Sequence, residues 1–332
     1  MKAVRLHAKQ DLRVEDVALP LPPKVDEVTL AVTYAGICGS DLHNFRTGEW
    51  ITRAPSVAGH ELTGIIEAIG DDVSHVAVGD KVIVDSRHIC GVCRNCQDGL
   101  GQVCEKLGFI GEVIDGGFAE AVTLPARNVL KAPDGVPDRH LALAEPIAVA
   151  LHTLNRLAAP CNAEIVVAGC GPIGGLVALL ASQSGHKVAV IDRNEARAKL
   201  VCEMTGGRIL DLESDWGERA PRHGVDATGS PFVIGRLVDK IAPGGAIALV
   251  GIGHGTLEVN PIQLVEKETA LIGCHAFGGE LETLVDLLPR LTDKLDAVIA
   301  EEITLDAVPD AYQRHLDGKV DGLKTIMRCQ QG

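Results

Sequence analysis

The sequence of 332 residues predicts an α/β protein in two parts, an irregular, mostly β region followed by a doubly wound parallel sheet. Residues 1 to about 145 contain short β-rich runs such as 28–34 and 79–84, separated by Gly, Pro and Asp. From about 160 the pattern changes to apolar strand candidates at 164–168, 187–191, 224–227, 246–250 and 270–273, alternating with helical stretches. That alternation implies a parallel sheet covered by helices. The closing segment reads as helical around 280–294 and 308–317, then as a final strand over 324–328. At ~150 residues per domain the length suits two domains, expected to pack closely around a cleft.

Composition excludes several classes. Lys and Arg number 31 against 45 Asp and Glu, a net charge of −14 that would repel phosphate backbones and anionic lipid. Neither a nucleic-acid nor a membrane partner is expected. Phe, Trp and Tyr number only 5, 2 and 2, which leaves few platforms for stacking bases. The first residues lack a continuous apolar run of the secretory type, so the cytoplasm is the expected location. The uncharged stretch 165–185 has the length of a membrane span. Its centre, Gly169-Cys-Gly-Pro-Ile-Gly-Gly, reads instead as a strand, a tight turn and a helix start. Ten cysteines in such a chain argue for thiolates used as metal ligands rather than for disulfides.

Four of those cysteines form Cys90-x2-Cys93-x2-Cys96-x7-Cys104, with Gly91 and Gly99 to let the chain turn. Four thiolates in a closed tetrahedron make a structural zinc site; an iron–sulfur cluster or free thiols are the competing readings. Arg87, Arg94 and Lys106 raise a zinc-ribbon alternative. Asp98 and Glu105 offset those charges, and no aromatic interrupts the quartet, which weakens it. Other ligand types are scattered: Cys38 in Gly-Ile-Cys-Gly-Ser-Asp-Leu-His, His60-Glu61 in Ala-Gly-His-Glu-Leu-Thr-Gly, and Glu145 in Ala-Glu-Pro. A thiolate, an imidazole and a carboxylate would neutralise Zn²⁺ and leave a fourth position open. Taken singly, Cys38 also reads as a small buried hydrophobe, His60 as a core histidine and Glu61 as a solvated charge.

The second part carries Gly169-Cys170-Gly171-Pro172-Ile173-Gly174, a G-x-G-x-x-G expected to follow a strand and to open a helix at 175–184. A second strand candidate ends at Asp192, eighteen residues after Gly174, which completes the context of a Rossmann dinucleotide turn. Asp192 would accept hydrogen bonds from both ribose hydroxyls of NAD and would repel a 2′-phosphate; Arg193 beside it keeps NADP as the lesser alternative. Thr228, Val250 and Gly251 lie at the ends of later strands, where such sheets bind ligands. Lys324 is a further candidate for reaching the cofactor from the last strand.

Gly59-His60-Glu61-x2-Gly64-x5-Gly70-x2-Val73, the Cys38-x-Ser-Asp-x-x-His segment and the quartet together resemble the zinc-dependent medium-chain alcohol and polyol dehydrogenases, in particular the sorbitol- and threonine-dehydrogenase-like branch. The resemblance covers essentially the whole chain. It implies a GroES-like, mostly-β catalytic domain over 1–145 and 279–332, with a structural zinc lobe at about 86–106, and a Rossmann NAD-binding domain over 146–278. It implies that Cys38 and His60 bind a catalytic zinc. The third ligand stays open between Glu61, direct in the sorbitol branch with Glu145 bound through water, and Glu145, direct elsewhere. Asp41 matches the acid that hydrogen-bonds the ligand histidine. Ser40 and His43 match a proton relay, for which an imidazole with pKa near ~6.5 is suited. Arg197 resembles a residue packing on adenine, and Phe45 and Trp50 lie where they can shape the substrate pocket.

The implied activity is reversible hydride transfer from a secondary alcohol to NAD, with one catalytic and one structural zinc per chain. Glu61 and the Glu145-Pro146 motif turn the expectation toward a polyol, sugar alcohol or cyclitol, with an aminocyclitol or L-threonine-type substrate as alternatives. A zinc- and NAD(P)-binding sensor without turnover and a zinc-free quinone reductase are the readings from other classes. A homodimer or homotetramer is the assembly the resemblance implies.

Overall fold

The computed structural model describes residues 1–330. The chain forms two compact units: Met1–Glu145 with Leu281–Val320 and the segment from Lys324, and Pro146–Glu280 with Asp321–Leu323.

In the first unit the strand Glu27–Gly36 is the axis of a seven-stranded sheet. Its side chains alternate between buried and half-buried, the period-2 pattern of a strand with one face on the core. It pairs antiparallel with Glu61–Ile69, Ala121–Pro125 and Lys324–Arg328. Lys81–Val84 and Val129–Lys131 extend the sheet on one side, and Ile299–Thr304 extends it on the other by parallel pairing with Lys324–Arg328. A smaller sheet joins Lys2–Ala8, Asp11–Asp16 and Ser56–Val57. The core between these elements holds Leu30, Leu62, Ile66, Phe118 and Tyr312, all essentially inaccessible to solvent.

The second unit is a six-stranded, fully parallel sheet. Across the sheet the strands run Arg208–Ile209, Lys187–Ile191, Glu164–Ala168, His223–Asp226, Ala246–Leu249, Ala270–Gly273. Numbered along the chain, that is the order 3-2-1-4-5-6 of a Rossmann sheet, whose switch point falls between Glu164–Ala168 and His223–Asp226. The long uncharged stretch resolves into the strand Glu164–Ala168 and the helix Pro172–Gln183. The helix opens at Pro172 rather than at 175, because Pro at the first position needs no N–H partner and has the required φ built in. Among the described residues no helix is long and apolar enough to cross a membrane.

Glu280 ties two elements of this second unit together. Its carboxylate accepts from His152 Nδ1 at 3.0 Å, Asn155 Nδ2 at 3.1 Å and the Gly278 amide at 2.6 Å. Burial pushes its pKa up, but the hydrogen bonds from His152 and Asn155 outweigh that and hold it below the usual glutamate value. A depressed carboxylate contributes stability above its unfolded pKa and loses it as pH falls through the folded one. Glu280→Ala is therefore expected to lower stability by about 1–3 kcal/mol near neutral pH. In thermal unfolding, the gap between wild type and variant should shrink as the pH is taken below about 4.

Candidate active site

Strand Glu27–Gly36 delivers the chain to Cys38, the N-cap of helix Gly39–Thr47. The antiparallel neighbour begins at Glu61, directly opposite Gly36, with His60 just before it. Ligand atoms of Cys38, His60 and Glu61 consequently lie within 4.8 Å of one another. Asp41 fixes two of these residues: Oδ2 accepts the Cys38 amide at 2.9 Å, and Oδ1 lies 3.5 Å from His60 Nδ1. Burial alone would lower the His60 pKa, yet Asp41 and Cys38 hold it well above the ordinary imidazole value. The ring sits in a strongly negative field.

Lys324, a candidate for reaching the cofactor, has a partner that the sequence did not indicate. As the first residue of the final strand it points into this cluster, where its ammonium is ion-paired with Glu61 and hydrogen-bonded to Oε1. Glu61 and Lys324 are 0% and 1% exposed, so the pair is cut off from water. Both Glu61 oxygens lie against that ammonium: Oε1 through the hydrogen bond and Oε2 through the ion pair. Gly36 makes room for this arrangement, since a Cβ there would run into Glu61 Oε2 and stand 3.0 Å from Lys324 Cε. With Cys38 as thiolate, Asp41 and Glu61 bring the buried negative charges to three against the one positive charge of Lys324. The excess of negative charge beside a soft sulfur, an imidazole and a carboxylate is what a divalent cation would neutralise. The residues present therefore fit a zinc ion.

Glu145 stands outside the set of atoms within 4.8 Å. Its Oε1 accepts from Ser86 Oγ at 2.8 Å. Burial, then the nearby charge of Glu61, push its pKa up to about 7 against the pull of His60. Ser40 Oγ lies 3.4 Å from His60 Nε2. His43 Nε2 meets Glu49 at 3.0 Å and Thr47 Oγ1 at 3.3 Å, and its ring rests on Trp50 with centroids 4.4 Å apart. Phe45 packs edge-on against Tyr312 at 5.4 Å, partly buried against the apolar core. Sequence reading missed Gly36, Ser86 and the partner of Lys324. It also missed Tyr312 and Glu112, which line a small cavity with Asp41. The Tyr312 hydroxyl there is buried without a hydrogen-bond partner. Nothing local in the sequence marks any of the five, because each acquires its neighbours through long-range pairing.

The quartet closes on itself through one helical turn at Arg94–Gln97 and a 3-10 turn at Gly101–Val103. Its sulfurs approach at 3.5 Å (Cys93–Cys96), 3.6 Å (Cys90–Cys104) and 3.9 Å (Cys93–Cys104). Four thiolates about 2.3 Å from a common centre are separated by roughly 3.8 Å, so these spacings fit one zinc. A cluster of several irons would spread them. Backbone N–H groups aimed at sulfur lower the pKa of Cys90, Cys93 and Cys104, while burial pushes Cys96 up to about 12.

In the second unit the turn runs from Gly169, with φ of 95°, through Gly171, the N-cap of helix Pro172–Gln183. Gly174 is fixed by the fold, as a Cβ there would fall on the Gly169 carbonyl. Gly171 is different: no atom lies within 4 Å of where its Cβ would be. The space over the helix N-terminus suits a pyrophosphate, which the free amides and the helix dipole would hold. Ile173 is half-buried behind it. Asp192 accepts the amides of Cys170 at 2.5 Å and Asn194 at 2.7 Å, one on each oxygen, which leaves lone pairs on both. Arg193 is exposed, and the Arg197 amide is capped by Asn194 at 3.1 Å. Thr228 Oγ1 donates to Asp226 Oδ1 at 2.5 Å, while the amides of Val250 and Gly251 both donate to the Asp226 carbonyl at 2.9 Å. These three residues share the C-terminal edge of the sheet with the glycine turn.

Residues 24–134 match the alcohol dehydrogenase GroES-like domain, and residues 172–290 match the zinc-binding dehydrogenase domain. The chain is 31% identical to L-galactonate-5-dehydrogenase of Escherichia coli K12 over 319 residues, 93% of each chain. It is 30% identical to L-threonine 3-dehydrogenase of Idiomarina loihiensis over 336 residues, covering 96% of this chain and 97% of that one. An alcohol dehydrogenase of Escherichia coli CFT073, solved with NADH, superposes with a TM-score of 0.91 at 28% identity over 99% of both chains. The chain belongs to the zinc-containing medium-chain alcohol dehydrogenase family. It is an oxidoreductase acting on the CH–OH group of alcohols or polyols with a nicotinamide coenzyme.

The contrast between two glycines gives a test. Gly171→Ala should leave the unfolding midpoint of the coenzyme-free protein within about 0.5 kcal/mol of wild type. It should weaken NADH binding about tenfold or more, by filling the space over the amides. Gly174→Ala should destabilise the protein itself by overpacking of about 1–3 kcal/mol, and calorimetry separates the two.

Proposed function

We propose that this chain reversibly oxidises a secondary alcohol within a polyol, sugar alcohol or cyclitol, with NAD preferred over NADP. The clustering of ligand atoms of Cys38, His60 and Glu61 within 4.8 Å of one another carries this reading. Those three side chains would hold the catalytic zinc, with Glu145 behind them as the carboxylate that reaches it through water. The four cysteines 90, 93, 96 and 104 would hold the structural one. When bound, zinc supplies Lewis acidity that makes an alcohol easier to ionise, and NAD supplies the hydride acceptor.

The remaining work falls to the chain's own groups. Asp41 holds the His60 tautomer that keeps Nε2 free as a donor of electrons. Ser40 Oγ, beside that nitrogen, accepts the substrate hydroxyl proton and His43 passes it toward solvent, with Glu49 stabilising the imidazolium. Gly169, Gly171 and Gly174 hold the coenzyme pyrophosphate, Asp192 its adenosine ribose, and Arg197 its adenine. The two domains follow the two compact units, and the assembly is a homodimer or homotetramer in the cytoplasm.

A hydroxyl-rich substrate is supported by the names of similar proteins: L-galactonate-5-dehydrogenase above, and galactitol-1-phosphate dehydrogenase of Escherichia coli, at 27% identity and a TM-score of 0.91 over 99% of this chain and 100% of that one. The threonine-type reading rests on the Idiomarina loihiensis relative. Nicotinamide absorbance across a panel of polyols, sugar acids, cyclitols and L-threonine distinguishes them. The reading expects turnover of a polyhydroxylated secondary alcohol and more than a thousandfold loss in Cys38→Ser, on the order of the several kcal/mol a Lewis acid contributes. Turnover of L-threonine alone would replace it with the second reading.

Asp192→Ala removes both the ribose acceptor and the charge opposing a 2′-phosphate. The ratio of kcat/KM for NAD over NADP should fall by about tenfold to a hundredfold. An unchanged ratio would place coenzyme selection elsewhere.

A further inference from the structure

The parallel sheet has a second concave surface at its other end. Where the strands Glu164–Ala168, Lys187–Ile191 and His223–Asp226 begin, a cavity of about 560 Å³ opens. That volume lies in the usual range for small-molecule sites. Strands of five residues separate this edge from Gly169 and Asp192 by roughly 15 Å, so it is not part of the coenzyme turn.

Its wall runs against the charge of the chain. The protein as a whole carries 31 Lys and Arg against 45 Asp and Glu, yet this cavity is lined by Lys187, Arg208, Arg219 and Arg222 with Glu164 as its one carboxylate. Arg208 already occupies Glu164 in a two-pronged pair at 2.8 and 3.0 Å. Arg222 donates to the Pro243 carbonyl, a neutral partner that leaves its charge uncompensated. Lys187 and Arg219 have no ion-pair partner among the described residues. Burial, then His186 and Arg222, hold the neighbouring His223 below the ordinary imidazole value, as a local positive field would. Pro160, Ala163, Ala220 and Pro221 supply an apolar surface beside the cations.

Isolated surface cations are commonplace, but three uncompensated ones converging on one concavity of an acidic protein repel each other with no return in folding. We propose that this edge of the sheet is a binding site for a small phosphorylated anion, separate from the coenzyme site. Guanidinium forks match phosphate oxygens in pairs, and the lysine adds a point charge, so a dianion would be neutralised on contact.

The test uses the full-length, zinc-loaded protein saturated with NADH, so that the coenzyme pyrophosphate position is filled. Inorganic phosphate is titrated by calorimetry and by thermal midpoint, with sodium chloride at matched ionic strength as the control. The site predicts saturable binding of one phosphate per chain and a raised midpoint. A Lys187→Glu, Arg219→Glu double variant should bind phosphate about tenfold more weakly or not at all, with NADH affinity unchanged. Should the charge reversal impair folding, Lys187→Gln with Arg219→Gln should show a loss in the same direction. No phosphate effect beyond the chloride control, or equal phosphate affinity in the glutamine variant, would overturn the proposal without touching the reading of the catalytic site.

Discussion

Everything at the catalytic centre depends on one buried charge arrangement, the Glu61–Lys324 pair set against Cys38, His60 and Asp41. Removing a carboxylate and an ammonium from water costs several kcal/mol each, and their mutual attraction recovers that only if the remaining lone pairs are also satisfied. Here one ammonium lies against both Glu61 oxygens, and the groups around the pair still sum to a negative charge. A divalent cation completes the arrangement. On binding, that cation would replace the proton that Asp41 and Cys38 otherwise favour on His60, since a metal-bound imidazole is neutral.

The sheet enforces this juxtaposition. Glu61 and Lys324 each open a strand, and both strands lie against the end of Glu27–Gly36, where Gly36 is registered with Glu61 on one side and Ile326 on the other. Lys324 lies 263 positions from Glu61 along the chain, yet strand pairing brings its ammonium onto that carboxylate. The final strand is thus both a piece of core and the source of the countercharge. Ser86 performs a quieter version of the same task for Glu145, whose burial keeps that carboxyl close to neutral and therefore inexpensive to retain beside Glu61.

What could be read in the sequence was what is local. The quartet and the glycine turn each lie within fifteen residues, so spacing alone displayed their chemistry. Five of the six parallel strands announced themselves as apolar runs between helices, with positions that agree with expectation to within a residue, while the two-residue strand Arg208–Ile209 did not. The first unit was harder. Its pieces include two-residue strands such as Arg87–His88 and Gly108–Phe109, too short to carry a period, and the strand Ile299–Thr304 alternates only between exposed and half-buried positions. Cys38, His60 and Glu61 were joined through resemblance to a family, since no local rule brings them together. The pairing of Lys324 with Glu61 was not legible because it is set by strand register, and register is a property of the folded sheet.

Anomalous diffraction at the zinc absorption edge, on crystals of the protein grown with zinc, addresses the central claim most directly. The account predicts two peaks per chain, one inside the four sulfurs of the quartet and one between Cys38 Sγ, His60 and Glu61 Oε2. A single peak at the quartet, with Glu61 still held by Lys324 and no metal at Cys38 and His60, would contradict it.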